Sequence, residues 1–266
     1  MDVIVCVKHV PDAETRLRAA SSGKWIDPDG VKFTVNNTYD EAAAEEALRL
    51  KEKCGAKSVR VITVGPARAE EALRYVLSMG ADEATHIETP PDAQLDPLTI
   101  SRLLAGVIKT LPHDIVMVGK QAADDEAGVV GSALGALLGL PSYAFVTELN
   151  PDAATKTLKM RRYVEGGEEH FHGPFPAVIS LLKGAADPRT PTLPNILKAR
   201  KKPLMKVPLA DAQAKAQALP GAPVAGTVRS FVLPPPKTGA KMVEFQTPEE
   251  AAEKLVKLLR EEAKVL

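Results

Sequence analysis

Three apolar runs stand out because they do not alternate: DVIVCVK (2–8), VRVITV (59–64) and DIVMVG (114–119). Alternation marks a strand with one face in water, whereas an unbroken run of β-branched residues suits a strand covered on both faces, as in a parallel sheet. Between the runs the period becomes helical. Ala43, Ala47 and Leu50 share a face after Thr38 and Glu41, which have capping-box spacing. Ala69, Ala72, Leu73, Val76 and Leu77 repeat in the same way, with Gly80 as a C-terminal stop. Asp96 and Pro97 form an N-cap and N1 pair ahead of Ile100, Leu103, Leu104, Val107, Ile108 and Leu111. Strand and helix alternate, which predicts an α/β fold with a parallel sheet.

A fourth helical stretch carries Gly131, Gly135 and Gly139. Each helical glycine costs about 1 kcal/mol relative to alanine, so their spacing predicts close packing against the sheet or another helix. After LPSYAFVTEL (140–149) two strands are expected, at 156–164 and 176–182. Residues 203–241 are rich in proline and alanine and read as an extended arm. A helix then starts at Thr247, Pro248 and Glu250, with Ala252, Leu255, Val256 and Leu259 on its apolar face. Such an arm has little core of its own and is expected to lie on another surface.

Composition narrows the function. The 34 basic and 34 acidic side chains cancel, so no global field recruits nucleic acid. Two cysteines, Cys6 and Cys54, exclude a disulfide scaffold and suit a reducing, cytoplasmic compartment. The first apolar run is too short for a signal peptide or a membrane span.

Three segments follow the main strands, VKHVPD, GPARAEE and GKQAADDEAG, and each leads from a turn to a helix start. Ligands bind beyond the carboxyl ends of such strands, and free backbone N–H groups there can hold a phosphate. None of the three matches a Gly-rich dinucleotide or Walker pattern. Ser132 and Ser142 have no nearby histidine, and neither sits in a nucleophile elbow. Asp124, Asp125 and Glu126 are expected to favour a helix dipole. His170 and His172 read as the solvated edge of a hairpin and not as metal ligands. No catalytic or metal-binding set emerges. Oddly, TLPNILKARKK (192–202) holds Leu193 and Ile196 among prolines expected to prevent a regular helix, beside Lys198, Arg200, Lys201 and Lys202.

With CVKHVPD, NNTYDEAAAEEALRLKE, GPARAEEALRYVLSMGAD, GKQAADDEAG, RYVEGGEEHFHGPFPAVIS and TLPNILKARKK, the chain resembles the beta subunit of electron transfer flavoproteins over nearly its whole length. The resemblance implies an adenine-nucleotide-binding, Rossmann-like (HUP) fold over 1–187. It implies a partner-recognition loop at 188–202, and at 203–266 an arm and C-terminal helix that pack on an alpha subunit. It implies a heterodimer that is an electron carrier without catalysis of its own. FAD would be held mainly by the alpha subunit. Electrons would pass from acyl-CoA or related dehydrogenases to a quinone oxidoreductase or similar acceptor.

Carried over by position, Val7, Lys8, Asn37, Gly65, Asp125, Gly128, Val129 and Val130 would bind AMP, and Tyr39 would lie near the flavin. Leu193 would plug an apolar pocket on the dehydrogenase, with Pro194, Ile196, Lys198 and Arg200 beside it. Two departures matter. Gly128, Val129 and Val130 stand where relatives carry Asn-Gln-Thr, which removes side-chain contacts to phosphate. Asp125 replaces the glycine of bifurcating members, adding bulk and charge where a second FAD would approach, so AMP is favoured. The alternatives are a bifurcating beta subunit with that second FAD and a stand-alone nucleotide-binding regulator.

Overall fold

The computed structural model describes residues 1–91, 93–221, 226, 228–235, 239 and 242–266. Residues 1–231 pack as one unit and 232–266 as a second. In chain order the elements are β1 (Asp2–Cys6), β2 (His9–Pro11), β3 (Phe33–Val35), α1 (Asp40–Lys53) and β4 (Ser58–Gly65). A 3-10 turn at Ala67–Ala69 leads into α2 (Glu70–Met79), β5 (Glu83–Glu88), α3 (Pro97–Ile108), β6 (Ile115–Gly119) and α4 (Val130–Leu138). Then come β7 (Ser142–Asp152), β8 (Thr157–Val164), β9 (Gly167–Pro174), β10 (Ala177–Leu181), α5 (Leu193–Ala199), β11 (Leu204–Pro208), α6 (Leu209–Gln217) and α7 (Pro248–Glu261).

The main sheet runs β11-β5-β4-β1-β6-β10-β7-β8-β9. Its pairings are parallel as far as β7, after which β7, β8 and β9 form an antiparallel meander. The unbroken apolar runs are thereby explained. Val3 and Val5 face one core with α1 and α2, while Ile4 and Cys6 face another with α3, α4 and α6. Both faces of β1 are dry, as the parallel reading requires.

Local signals held at several places. Asp96 accepts from Leu98 and Thr99 N–H, with Pro97 opening α3, and Gly80 ends α2 at φ 144°. A Cβ on Gly131 would meet Val118 Cγ2 at 3.0 Å, and one on Gly135 would meet Ser142 Cβ at 2.7 Å, so these two glycines do bring α4 against the sheet. Gly139 instead caps α4 in the left-handed conformation. His170 and His172 lie exposed on the edge strand β9.

Four expectations need correction. Thr38 does not cap α1: the N-cap is Tyr39, without a side-chain bond, and the helix begins at Asp40. The acids 124–126 are not in a helical first turn, because α4 starts only at Val130. The linker between the two strands expected after residue 149 is itself a strand, β9, and a further strand, β7, precedes them. Residues 204–217 are not an extended arm. β11 pairs with β5 at the sheet edge, and α6 lies on α3.

The contact between α3 and α6 is close because Gly106 lacks a side chain: a Cβ there would stand 2.9 Å from Ala216 N and 3.0 Å from Lys215 C. Arg102 then donates to the last carbonyls of this region, Ala216 O at 3.1 Å and Pro220 O at 2.9 Å. Parts of the expected arm, 222–225 and 236–238 among them, lie outside the described residues.

The second unit is α7 with its lead-in. Thr247 Oγ1 accepts from Glu250 N–H at 3.2 Å while the Glu250 carboxylate accepts from Gln246 N–H at 2.9 Å. None of its helical residues is buried.

Gly106→Ala would force backbone against backbone between α3 and α6. The expected loss is about 1–3 kcal/mol of unfolding free energy in urea denaturation, whereas Gly139→Asn, at an open left-handed cap, should cost less than about 1 kcal/mol.

Candidate functional site

Strand order reverses at β1: β4 and β5 lie on one side of it, β6 and β10 on the other. The loops leaving β1 and β6 must therefore diverge, which opens a crevice beyond their carboxyl ends. A cleft opens there, lined by residues of both loops and of two helices. Cys6, Val7 and Lys8 line it from β1, and residues 118–122 from β6. Pro97, Ile100 and Leu104 of α3 give it an apolar wall, and Gly128, Val129 and Val130 bring in the start of α4.

One buried carboxylate ties the two diverging loops together. Asp40, the first residue of α1, accepts the Lys8 N–H at Oδ2 over 2.8 Å and also bonds to Gly119 N–H and the Asn36 side chain. Gly119 has to be glycine here. A Cβ on it would fall 2.2 Å from Asp40 Oδ1 and 2.7 Å from Tyr39 Cβ. Burial pushes the Asp40 carboxyl up to about 7, against the pull of these hydrogen bonds. The Cys6 thiol below it is raised as well, by burial and then by Asp40.

At the mouth, Lys8 Nζ reaches Asp124 Oδ1 at 2.7 Å and Asp125 Oδ2 at 2.8 Å. Burial works to lower the Lys8 pKa, but the two carboxylates outweigh it and hold the ammonium charged. Asp125 also accepts from Ala127 N–H at 3.1 Å, and Gly128 follows at φ 63°. That turn delivers the chain to α4, whose N-cap Val129 offers no side-chain acceptor. The start of α4 thus has no side-chain cap and borders the cleft, an arrangement suited to an anion.

Val7, Lys8, Asp125, Gly128, Val129 and Val130 all line this cleft. Asn37, Tyr39 and Gly65 are not among the lining residues. Asn37 is exposed, Tyr39 is half-exposed at the α1 N-cap, and the wall beside Gly65 is Val64. Asp40 and the α3 wall had no counterpart among the expected site residues, whereas Gly119 opens the expected GKQAADDEAG segment. A glycine ending an apolar run was the one available signal, at Gly119.

Beside the cleft the His9 ring packs 5.4 Å from Phe33, over which the Arg68 guanidinium lies at 4.4 Å. Burial, then the Arg68 charge, lowers the His9 pKa to about 4.

The segment at 192–202 is a short helix, α5, and not the irregular stretch expected. Pro194 falls in its first turn, where a missing N–H costs nothing. Leu193 is 70% exposed, and Pro194, Ile196, Leu197, Lys198 and Arg200 are exposed too. Just upstream, Arg189 is fixed to α1 by Glu45 at 2.7 Å and Glu52 at 2.6 Å. Among the described residues, no group of histidine, cysteine and acidic side chains could hold a metal ion, and no helix is long and apolar enough to cross a membrane.

A largely parallel sheet with helices on both faces and a cleft at its switch point places the chain among Rossmann-like α/β proteins. Comparison with known proteins makes this specific. Residues 29–212 match the model of the electron transfer flavoprotein domain. The chain is 36% identical over 267 residues to electron transfer flavoprotein subunit beta of Bacillus subtilis, covering 100% of both chains. It is 38% identical over 202 residues to the human protein of that name, covering 75% of this chain and 78% of the human one. The mitochondrial subunit beta of Arabidopsis thaliana is 35% identical over 211 residues, 79% of this chain and 83% of that one. The chain belongs to the electron transfer flavoprotein family.

Asp40 has a signature in pH. Its folded pKa lies above the unfolded value of 3.8, so its contribution is full below pH 4 and is lost as pH rises through about 7. His9 works in the opposite sense, gaining as pH rises from about 4 to 6.5. Asp40→Asn should therefore gain stability relative to the unmodified protein between pH 5 and pH 8, by ~2–4 kcal/mol at about 1.4 kcal/mol per pKa unit. Urea denaturation of both proteins at the two pH values reads this slope; a pH-independent difference would refute it.

Proposed function

We propose that this chain is the beta subunit of an electron-carrying flavoprotein heterodimer, that its cleft holds AMP, and that it has no turnover of its own. The observation that supports this best is the cleft's make-up. An apolar wall from Val64, Pro97, Ile100 and Leu104 suits an adenine ring, and the uncapped start of α4 suits one phosphate. Lys8 brings one positive charge against the two negative charges of Asp124 and Asp125. Asp125 also lines the cleft beside that helix start, where its carboxylate would oppose a second phosphate, which favours a mononucleotide over a dinucleotide.

FAD, held mainly by an alpha subunit, supplies the redox chemistry. The residues of this chain enclose and dock. Tyr39, half-exposed at the start of α1, is the side chain offered to the flavin. The apolar side chains of α7, with Leu255 56% and Val256 43% exposed, would cover part of the alpha subunit. Leu193, Pro194 and Ile196 form the apolar tip that enters a dehydrogenase of the acyl-CoA type, with Lys198 and Arg200 steering acidic partners. A quinone oxidoreductase or similar acceptor would take the electrons on, in the cytoplasm.

Co-expression with an alpha subunit should yield a yellow heterodimer that releases one FAD and one AMP on denaturation, measured by absorbance and mass spectrometry. Two FAD and no AMP would replace this reading by the bifurcating one. Leu193→Ala should leave both contents intact and raise the KM for reduced dehydrogenase roughly 10- to 100-fold, the cost of exposing one leucine.

A further inference from the structure

The apolar tip on α5 has almost no core beneath it. Of its seven helical residues only Ala199 is buried, at 2% exposure. Buried apolar area therefore does not fix how the helix sits, and hydrogen bonds to charged side chains take that place. Arg74, on α2, donates through Nη1 to Ala199 O at 2.9 Å and to Lys202 O at 3.1 Å, the carbonyls at the end of α5. Lys202, just past α5, donates through Nζ to Leu77 O at 2.9 Å and Ala81 O at 2.5 Å, the carbonyls at the end of α2. Arg74 from α2 and Lys202 from just past α5 thus each place a cation at the carboxyl end of the other segment's helix, meeting the negative end of its dipole. Arg74 is itself held by Glu70 at 3.0 Å.

This pattern separates two kinds of cation in a segment that looks uniformly basic. Lys198 and Arg200 are exposed. The Lys202 ammonium is partly desolvated, which lowers its pKa, and its hydrogens are spent on backbone carbonyls within the subunit.

We propose that Arg74 and Lys202 are positioning residues for partner docking: their reciprocal capping of α2 and α5 sets the angle at which Leu193 is presented, and neither touches the partner. The proposal rests on the reading of α5 as the docking element. Freezing α5 in the docked orientation lowers the entropy cost of each encounter, so losing a cap weakens association without touching electron transfer in the docked complex.

The test uses the co-expressed, flavin-loaded heterodimer and an acyl-CoA dehydrogenase reduced by its substrate, with Leu193→Ala as the reference variant. Lys202→Met and Arg74→Met should each raise KM about tenfold, the effect of one charge-assisted hydrogen bond, with kcat and FAD content unchanged. Lys202→Arg should restore KM. The salt dependence of KM should be unaltered in Lys202→Met but reduced in Lys198→Met, since only an exposed charge steers. If Leu193→Ala raises KM while both cap variants stay within about twofold of the unmodified protein, α5 docks but the caps do not position it, and the inference fails. If Leu193→Ala leaves KM unchanged, α5 is not the docking element and both readings fall. Should either methionine variant not assemble, Arg74→Lys, which keeps the charge but cannot hold Glu70 through Nε and Nη2 while Nη1 reaches the two carbonyls, is judged by the same KM criterion.

Discussion

A parallel sheet that reverses its strand order must send two neighbouring loops in opposite directions, and here a buried carboxylate sits between them. Asp40 accepts from the backbone of the β1 loop at Lys8 and of the β6 loop at Gly119. Its cost is evident in its raised pKa, since burial disfavours the charged form more than the hydrogen bonds favour it. Asn36, which donates its N–H to Lys8 O and its side-chain amide to Gln121 O, and the Lys8 ion pairs with Asp124 and Asp125 tie the same two rims together. Gly119 follows from the same constraint, as any side chain there would collide with the Asp40 carboxylate. The placement of Lys8 follows too, because its backbone is fixed by Asp40 while its side chain crosses to Asp124 and Asp125.

The fold was legible where the physics is local. Unbroken apolar runs located β1, β4 and β6, and short-range capping chemistry located the start of α3 and the end of α2. What stayed hidden was set by distant partners. Lys8 and Asp124 are 116 residues apart, and Arg74 and Lys202 are 128 apart. The alanine-rich stretch that forms α6 looks like a linker, because its ability to pack depends on the absence of a side chain at Gly106, far upstream. Thr38 and Glu41 show the reverse error. Their spacing fits a capping box, but the helix begins at Asp40, whose carboxylate is engaged by the neighbouring loops. The prolines of 192–202 misled in the same way: Pro194 occupies a position of the first turn where proline fits.

The chain as a whole has no net charge, so its selectivity is local. The cleft is lined by two cations, Lys8 and Lys120, and two carboxylates, Asp40 and Asp125, so its charges balance and the uncapped start of α4 is left as the place for an anion. On α5 the charges divide by solvation. Those spent on carbonyls hold the helix in place, and those left in water act at a distance. In the docking role proposed for α5, this division would help, because rigidity reduces the entropy cost of binding while the contact itself stays small.

The second unit carries the argument one step further. A fourteen-residue helix is marginal in water even with a good N-cap. The reciprocal bonds of Thr247, Glu250 and Gln246 nucleate α7, and the Lys254–Glu250 pair at 2.7 Å adds a little, but none of its residues is buried. Met242 and Phe245, just ahead of it, are also exposed, at 88% and 58%. A sequence that specifies a capped amphipathic helix and then leaves its apolar side in water is consistent at every level but the last. A surface supplied by another polypeptide would complete it, the physical ground on which the proposed pairing rests.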